Sequence, residues 1–200
     1  MTLRLPAFTQ GQRIGLFGGS FNPAHAGHLA LGRQALKRLG LDQVWWMVSP
    51  QNPLKSSDST ADFDERMEGA RRLIVNRAMV VTDVEKQLGT DCTAATLTRL
   101  KPVLARAHFV WIMGADSFAE LHRWRDWRVI PETLPLAVFD RPGWRLKAMA
   151  GKAAQRYGEM RLATSDARLL PTLEAPAWVF LPMPLRSESS TAIRNRQQQN

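Results

Sequence analysis

Two hundred residues, 44% of them apolar, suffice for one domain with a real core. A net charge of +9, from 27 Lys and Arg against 18 Asp and Glu, favours an anionic partner, and nucleotides and phosphates qualify as well as nucleic acid. The single cysteine, Cys92, excludes an internal disulfide framework or a multi-cysteine zinc site, and no stretch approaches the roughly 18 apolar residues of a membrane span.

Residues 1–12 read as a loose lead-in without an apolar run of signal-peptide length. A strand is predicted over Ile14–Phe17, ending in Gly18-Gly19, and a helix over Leu29–Leu39, stopped by Gly40. A second strand covers Val44–Val48. The next helix, Asp62–Val75, repeats Phe63, Met67, Ala70 and Ile74 at helical spacing, with acids early and arginines late, as the helix dipole prefers. Strands follow over Ala78–Val81, Phe109–Met113, Leu136–Phe139 and Trp178–Leu181, with helices over Thr93–Leu100 and Leu146–Tyr157 between them. The strand runs are short and mostly unalternated, as in strands buried on both faces. Alternating strands and helices predict an α/β fold with a doubly wound parallel sheet, one domain over 1–200 with a frayed tail at 197–200. Ligands in such sheets bind beyond the carboxyl ends of the strands, where strand order reverses.

The exit of the first strand carries the most information. Gly18-Gly19 permits close approach of a phosphate to the backbone, and Asn22-Pro23 enforces a turn. His25 and His28 are three apart where a helix begins, so both rings share the face of a helix N-terminus, a natural anion site. Metal binding is the alternative, but His108 and His122 are only loosely placed as a third ligand. Ser187–Arg194 reads as an N-cap and first turn, with Arg194 offering a fork suited to phosphate. Lys55 lies on a proline-stiffened loop after the second strand. Asp116, after a strand and Gly114, either accepts from ribose hydroxyls or caps the next helix, and Thr93 reads as a cap. Leu121–Trp127 is aromatic and basic, fitting either core tryptophans with solvated arginines or stacking on single-stranded nucleic acid.

The run from Gly18 to His28, reading GGSFNPAHAGH, resembles the HxGH signature of the nucleotidyltransferase superfamily, in the form found in bacterial nicotinate-mononucleotide adenylyltransferases. Ser189-Ser190-Thr191-Ala192-Ile193-Arg194 resembles the SSTxIR motif of that family, Gly114–Asp116 its GxD motif and Arg141–Gly143 its RPG turn. The resemblance covers about residues 14–196. It implies a Rossmann-like fold and transfer of AMP from ATP to nicotinate mononucleotide in NAD biosynthesis, in the cytoplasm, without nucleic-acid or membrane partners. Mg²⁺ would arrive with ATP rather than on a protein metal site. It further implies catalytic roles for His25, His28, Lys55 and Arg194, and ATP contacts from Gly18, Gly19, Ser20, Phe21, Gly114, Asp116, Arg141, Ser190 and Thr191. Acceptor contacts would come from Asn52, Glu85, Thr93 and Trp124, with Trp124 stacking on the pyridine ring. Cys92 stands where the family commonly has tyrosine.

Overall fold

A computed structural model describes residues 3–50, 60–184, 190, 193 and 194. Among these residues the elements run β1 (Arg13–Gly19), α1 (Ala26–Leu39), β2 (Gln43–Val48), α2 (Phe63–Leu73), β3 (Met79–Thr82), α3 (Val84–Leu88), α4 (Thr93–Leu104) and β4 (His108–Gly114). They continue with α5 (Ala115–Glu120), α6 (Val129–Thr133), β5 (Leu136–Phe139), α7 (Arg145–Met149), α8 (Lys152–Arg156), β6 (Arg161–Leu162), a 3-10 run over Thr164–Thr172 and β7 (Trp178–Leu181).

The strands form one sheet in the order β3-β2-β1-β4-β5-β7-β6, and every pairing is parallel. The α/β expectation is borne out. Alternate residues of each strand enter opposite cores. Leu16, Trp45, Met47, Trp111 and Phe180 meet Leu97 of α4 and Phe118 of α5 on one face. Phe17, Trp46, Ile112, Phe139 and Val179 meet Leu31 and Ala35 of α1 and Met67 of α2 on the other. Burial on both faces explains why the strand sequences lack a polar alternation.

The chain runs outward from β1 through β2 to β3, then returns to lay β4 on the other side of β1. Strand order therefore reverses between β1 and β4. The carboxyl ends there are Gly18-Gly19 and Met113-Gly114.

Three sequence expectations need correction. The lead-in is irregular but not loose: the Phe8 ring packs edge-on against Trp45 at 5.5 Å and Phe109 at 5.9 Å, and Gln87 exchanges hydrogen bonds with the Arg4 backbone. The helix expected over Leu146–Tyr157 is two helices, because Gly151 takes an extended conformation and caps α8. A side chain there would press on the carbonyls of Lys147 and Ala148, at 3.2 Å from each. Finally, α4 runs past Leu100 to Leu104, tolerating Pro102 in its last turn.

Candidate active site

The β1 exit is set by packing as much as by turn chemistry. A Cβ on Gly18 would lie 2.6 Å from the Trp111 ring, and one on Gly19 would lie 3.2 Å from the Phe21 ring. Both glycines thus have a packing reason beyond the close phosphate approach expected of them. Phe21 takes a left-handed conformation, φ 46°. Its ring is buried and stacked on Trp46 at 4.9 Å. That ring is committed to the core, which leaves only the Phe21 backbone facing a ligand role.

His25 is the N-cap of α1, and its Nδ1 accepts from the Gly27 N–H at 3.1 Å. His28 returns the favour: its Nδ1 accepts from the His25 N–H at 3.2 Å, closing a capping box built of two imidazoles. In a neutral ring whose Nδ1 accepts, the proton sits on Nε2. The ring centroids are 3.8 Å apart, so the pair can address one anion. His28 also packs against Phe21 at 5.1 Å. Its ring orientation is therefore set by carbon as well as by hydrogen bonds.

The C-terminal motif lands on this turn. Ser190 Oγ donates to the Pro23 carbonyl at 3.0 Å, and the Arg194 guanidinium donates to the Asn22 carbonyl. Two motifs separated by more than 160 residues in sequence meet at one helix mouth.

Across the switch point, Asp116 Oδ1 and Arg141 Nε approach within 4.0 Å. Both atoms are buried and lack a hydrogen-bond partner. An acceptor and a donor at that separation suit a hydroxyl between them, which can accept from one and donate to the other. Gly114 lets the pair lie against the backbone: a Cβ there would lie 2.3 Å from Asp116 Oδ1 and 3.1 Å from Arg141 Nε. The N-cap of α5 is Gly114, so the cap alternative for Asp116 fails. Asp140, buried beside Arg141, accepts from the Arg141 N–H at 2.9 Å and from Arg145 Nε at 2.9 Å, which fixes the β5 turn.

At the start of α4, Arg125 donates to the Asp91 carboxylate and lies 3.0 Å from Cys92 Sγ. This contact draws Trp124 and its segment to the start of α4. That ion pair holds the Asp91 carboxyl below its usual range. Cys92, not Thr93, is the N-cap of α4, and its side chain makes no cap bond; Thr93 is the first helical residue. Trp124 and Trp127 are both partly buried against the core. The Glu85 carboxyl faces inward, accepting from Ser49 Oγ at 2.7 Å, and burial pushes its pKa above the ordinary value of 4.5. Asn52, Lys55 and Thr191 lie outside the described residues.

A family model described as cytidylyltransferase-like matches residues 16–196. The chain belongs to the cytidylyltransferase-like family. Among its relatives in this nucleotidyltransferase family, a protein of Ruegeria pomeroyi named "Probable nicotinate-nucleotide adenylyltransferase" is 50% identical over 189 residues, 94% of this chain and 88% of that one. One of the same name from a Caulobacter species is 51% identical over 185 residues, covering 92% and 98% of the two chains. In shape, the Plasmodium falciparum nicotinic acid mononucleotide adenylyltransferase complexed with APC matches with a TM-score of 0.65 at 15% identity, covering 92% of this chain and 83% of that one. The family resemblance read from the sequence is borne out, and the structural match agrees on the fold.

Sequence reading missed one buried residue beside the β1 and β2 exits. Arg66 of α2 is 3% exposed, and its guanidinium donates to the carbonyls of Ala61, Ser20, Ser49 and Pro50 at 2.7–3.0 Å. Burial lowers its pKa from the ordinary value. The available signal was positional: residue 66 is three after Phe63 and four before Ala70, on the apolar stripe of the helix.

Proposed function

We propose that the protein transfers AMP from ATP to nicotinate mononucleotide, giving nicotinate adenine dinucleotide and pyrophosphate. The observation that carries this reading is the meeting of the two-histidine cap with Ser190 and Arg194 at the β1 exit. The names of relatives about half identical across nearly the whole chain supply the acceptor.

The acceptor's phosphate attacks the α-phosphorus of ATP and pyrophosphate leaves. The nucleophile is already an anion near neutral pH, so no strong general base or covalent intermediate is needed. Positioning and charge stabilisation do the rest. His25 and His28 donate from Nε2 to phosphate oxygens, and Arg194 faces the charge that gathers on the leaving group. Lys55 adds a second cation there. The Asp116–Arg141 pair takes a ribose hydroxyl of the adenosine. Trp124 stacks on the pyridine ring beside the N-terminus of α4, with Asn52 and Thr93 close to the acceptor. ATP enters as its Mg²⁺ complex. Imidazole, guanidinium and hydroxyl groups suit phosphate oxygens rather than a hard cation, and no group of three or more His, Cys, Asp and Glu among the described residues could hold a metal. Mg²⁺ would be held by the ATP phosphates and would lower their charge. The single cysteine fits a reducing cytoplasm as the setting.

The test is direct. The protein is incubated with MgATP and, in separate reactions, nicotinate, nicotinamide, adenine and cytosine mononucleotides, and pyrophosphate is measured. Release with nicotinate mononucleotide well above the others is expected. Release with none, or preference for a non-pyridine nucleotide, removes the reading.

A further inference from the structure

The four carbonyls held by Arg66 belong to three different segments. Ser20 ends the glycine run after β1, Ser49 and Pro50 leave β2, and Ala61 precedes α2. Both loops start at carboxyl ends of neighbouring strands, on the edge where the phosphate site opens. A fork of rigid donors can satisfy several carbonyls at fixed angles, whereas an ammonium is a single point. Each hydrogen-bonded partner is a neutral carbonyl, and the Asp62 carboxylate acts on the buried cation only through space. Such a desolvated charge is weak evidence for stability, which turns attention to what it holds in place.

The bond to Ser20 has a geometric consequence. In a trans peptide the C=O and the following N–H point in opposite directions. With the Ser20 carbonyl drawn towards Arg66, the Phe21 N–H is turned to the far side of that peptide. Phe21 itself is held at φ 46°, a conformation a bulky residue keeps only when its surroundings dictate it. From Ser49 the connection continues: its Oγ donates to Glu85, and the Glu85 carbonyl accepts from Thr90 Oγ1, which pairs with Thr96 Oγ1 of α4 at 2.7 Å. A chain of polar bonds, buried from Glu85 onward, thus joins the loop after β2 to α4.

We infer that Arg66 is a positioning residue for adenylyl transfer, clasping the β1 and β2 exits so that the phosphate-facing backbone is preorganised before ATP arrives. The inference rests on the adenylyltransferase reading for its assay. It is separate from that reading, because the reading concerns which reaction occurs and the clasp concerns what holds the loop.

The experiment compares Arg66→Lys and Arg66→Gln with Val179→Ala, a core truncation in β7 away from the switch point. Melting temperature, kcat, the KM values and the Kd of a non-hydrolysable ATP analogue are measured for each. A misplacement near 1 Å costs about 10²-fold in rate. Arg66→Lys is therefore expected to stay folded, lose about 10²-fold in kcat/KM for ATP and bind the analogue about 10-fold more weakly. Val179→Ala should lose melting temperature but less than about threefold in either constant. Equal losses in the lysine variant and the β7 control overturn the inference. Analogue binding is read even if wild-type protein makes no pyrophosphate, so failure of the reaction assignment does not mask the clasp. If neither Arg66 variant folds, the ligand-free wild type decides by amide relaxation: a rigid Phe21 amide, with an order parameter near about 0.85, supports preorganisation, and one below about 0.6 overturns it.

Discussion

His28 is the residue on which chemistry and packing meet. Its Nδ1 is spent on the helix cap, and its ring lies among Phe17, Phe21 and Trp46. Replacing it by alanine removes one phosphate donor and half of a reciprocal cap. His28→Ala is expected to lower kcat by about 10²–10⁴, the range for loss of one charge-stabilising donor. Circular dichroism should show the fold retained, and near-normal turnover in the folded variant would refute the assignment. Glu85 provides the opposite case, a carboxyl whose burial disfavours its charge. Its pKa is raised in the folded state, so the folded protein holds the proton more tightly than the unfolded chain. Near and below the ordinary value of 4.5 the group imposes no penalty; stability is lost as pH rises through the raised pKa. Glu85→Gln keeps an acceptor for Ser49 and removes the charge. Its melting temperature should exceed that of wild type by a few degrees at about pH 8.5, with the gap closing by about pH 4.5. A gap that widens on acidification would show the sign to be wrong. At this scale the sequence put His25 and His28 at the start of a helix, but the reciprocal cap between them, with each Nδ1 accepting from a backbone N–H, came only with the structure. Nor was the sequence readable where a side chain reaches across loops, as with Arg66, or turns inward, as with Glu85.

Helix α4 begins with Cys92, whose backbone has the extended geometry of an N-cap, φ −145° and ψ 152°, while its side chain caps nothing. A hydroxyl would accept from the N–H groups of the first turn. Cys92→Ser is therefore expected to stabilise the protein by about 1 kcal/mol. That corresponds to a rise of about 2–4 °C in melting temperature for a chain of this size. No rise would mean that the Arg125 contact at Cys92 Sγ already stabilises this terminus equally well. Strand positions were legible because runs such as Trp178–Leu181 are apolar on both faces. The two-residue β6 was not, since two residues carry no period. The split between α7 and α8 depended on one glycine pressed against a neighbouring turn, a tertiary cause that local propensity does not encode.

For the whole molecule, a charge of +9 sets a field that draws in anions, whichever side chains later touch them. Both substrates are phosphate anions under the proposed reaction. Raising ionic strength from about 50 to about 300 mM should lower kcat/KM for ATP several-fold while changing kcat much less, because screening acts on approach rather than on the bound state. Steady-state kinetics in NaCl at fixed free Mg²⁺ checks this, and an unchanged kcat/KM would exclude steering by the net charge. Fold class was recoverable from the alternation of strand and helix. Strand order was not, because nothing in an apolar run names its neighbour.

That order has a consequence for synthesis. β7 sits between β5 and β6, so β6 has no partner strand until residues 178–181 arrive. On the ribosome the growing polypeptide can assemble β1 to β5 first, but that edge must wait for one of the last segments translated. A nascent chain stalled before residue 178 would present the β5 edge uncovered, a surface for chaperones or for aggregation.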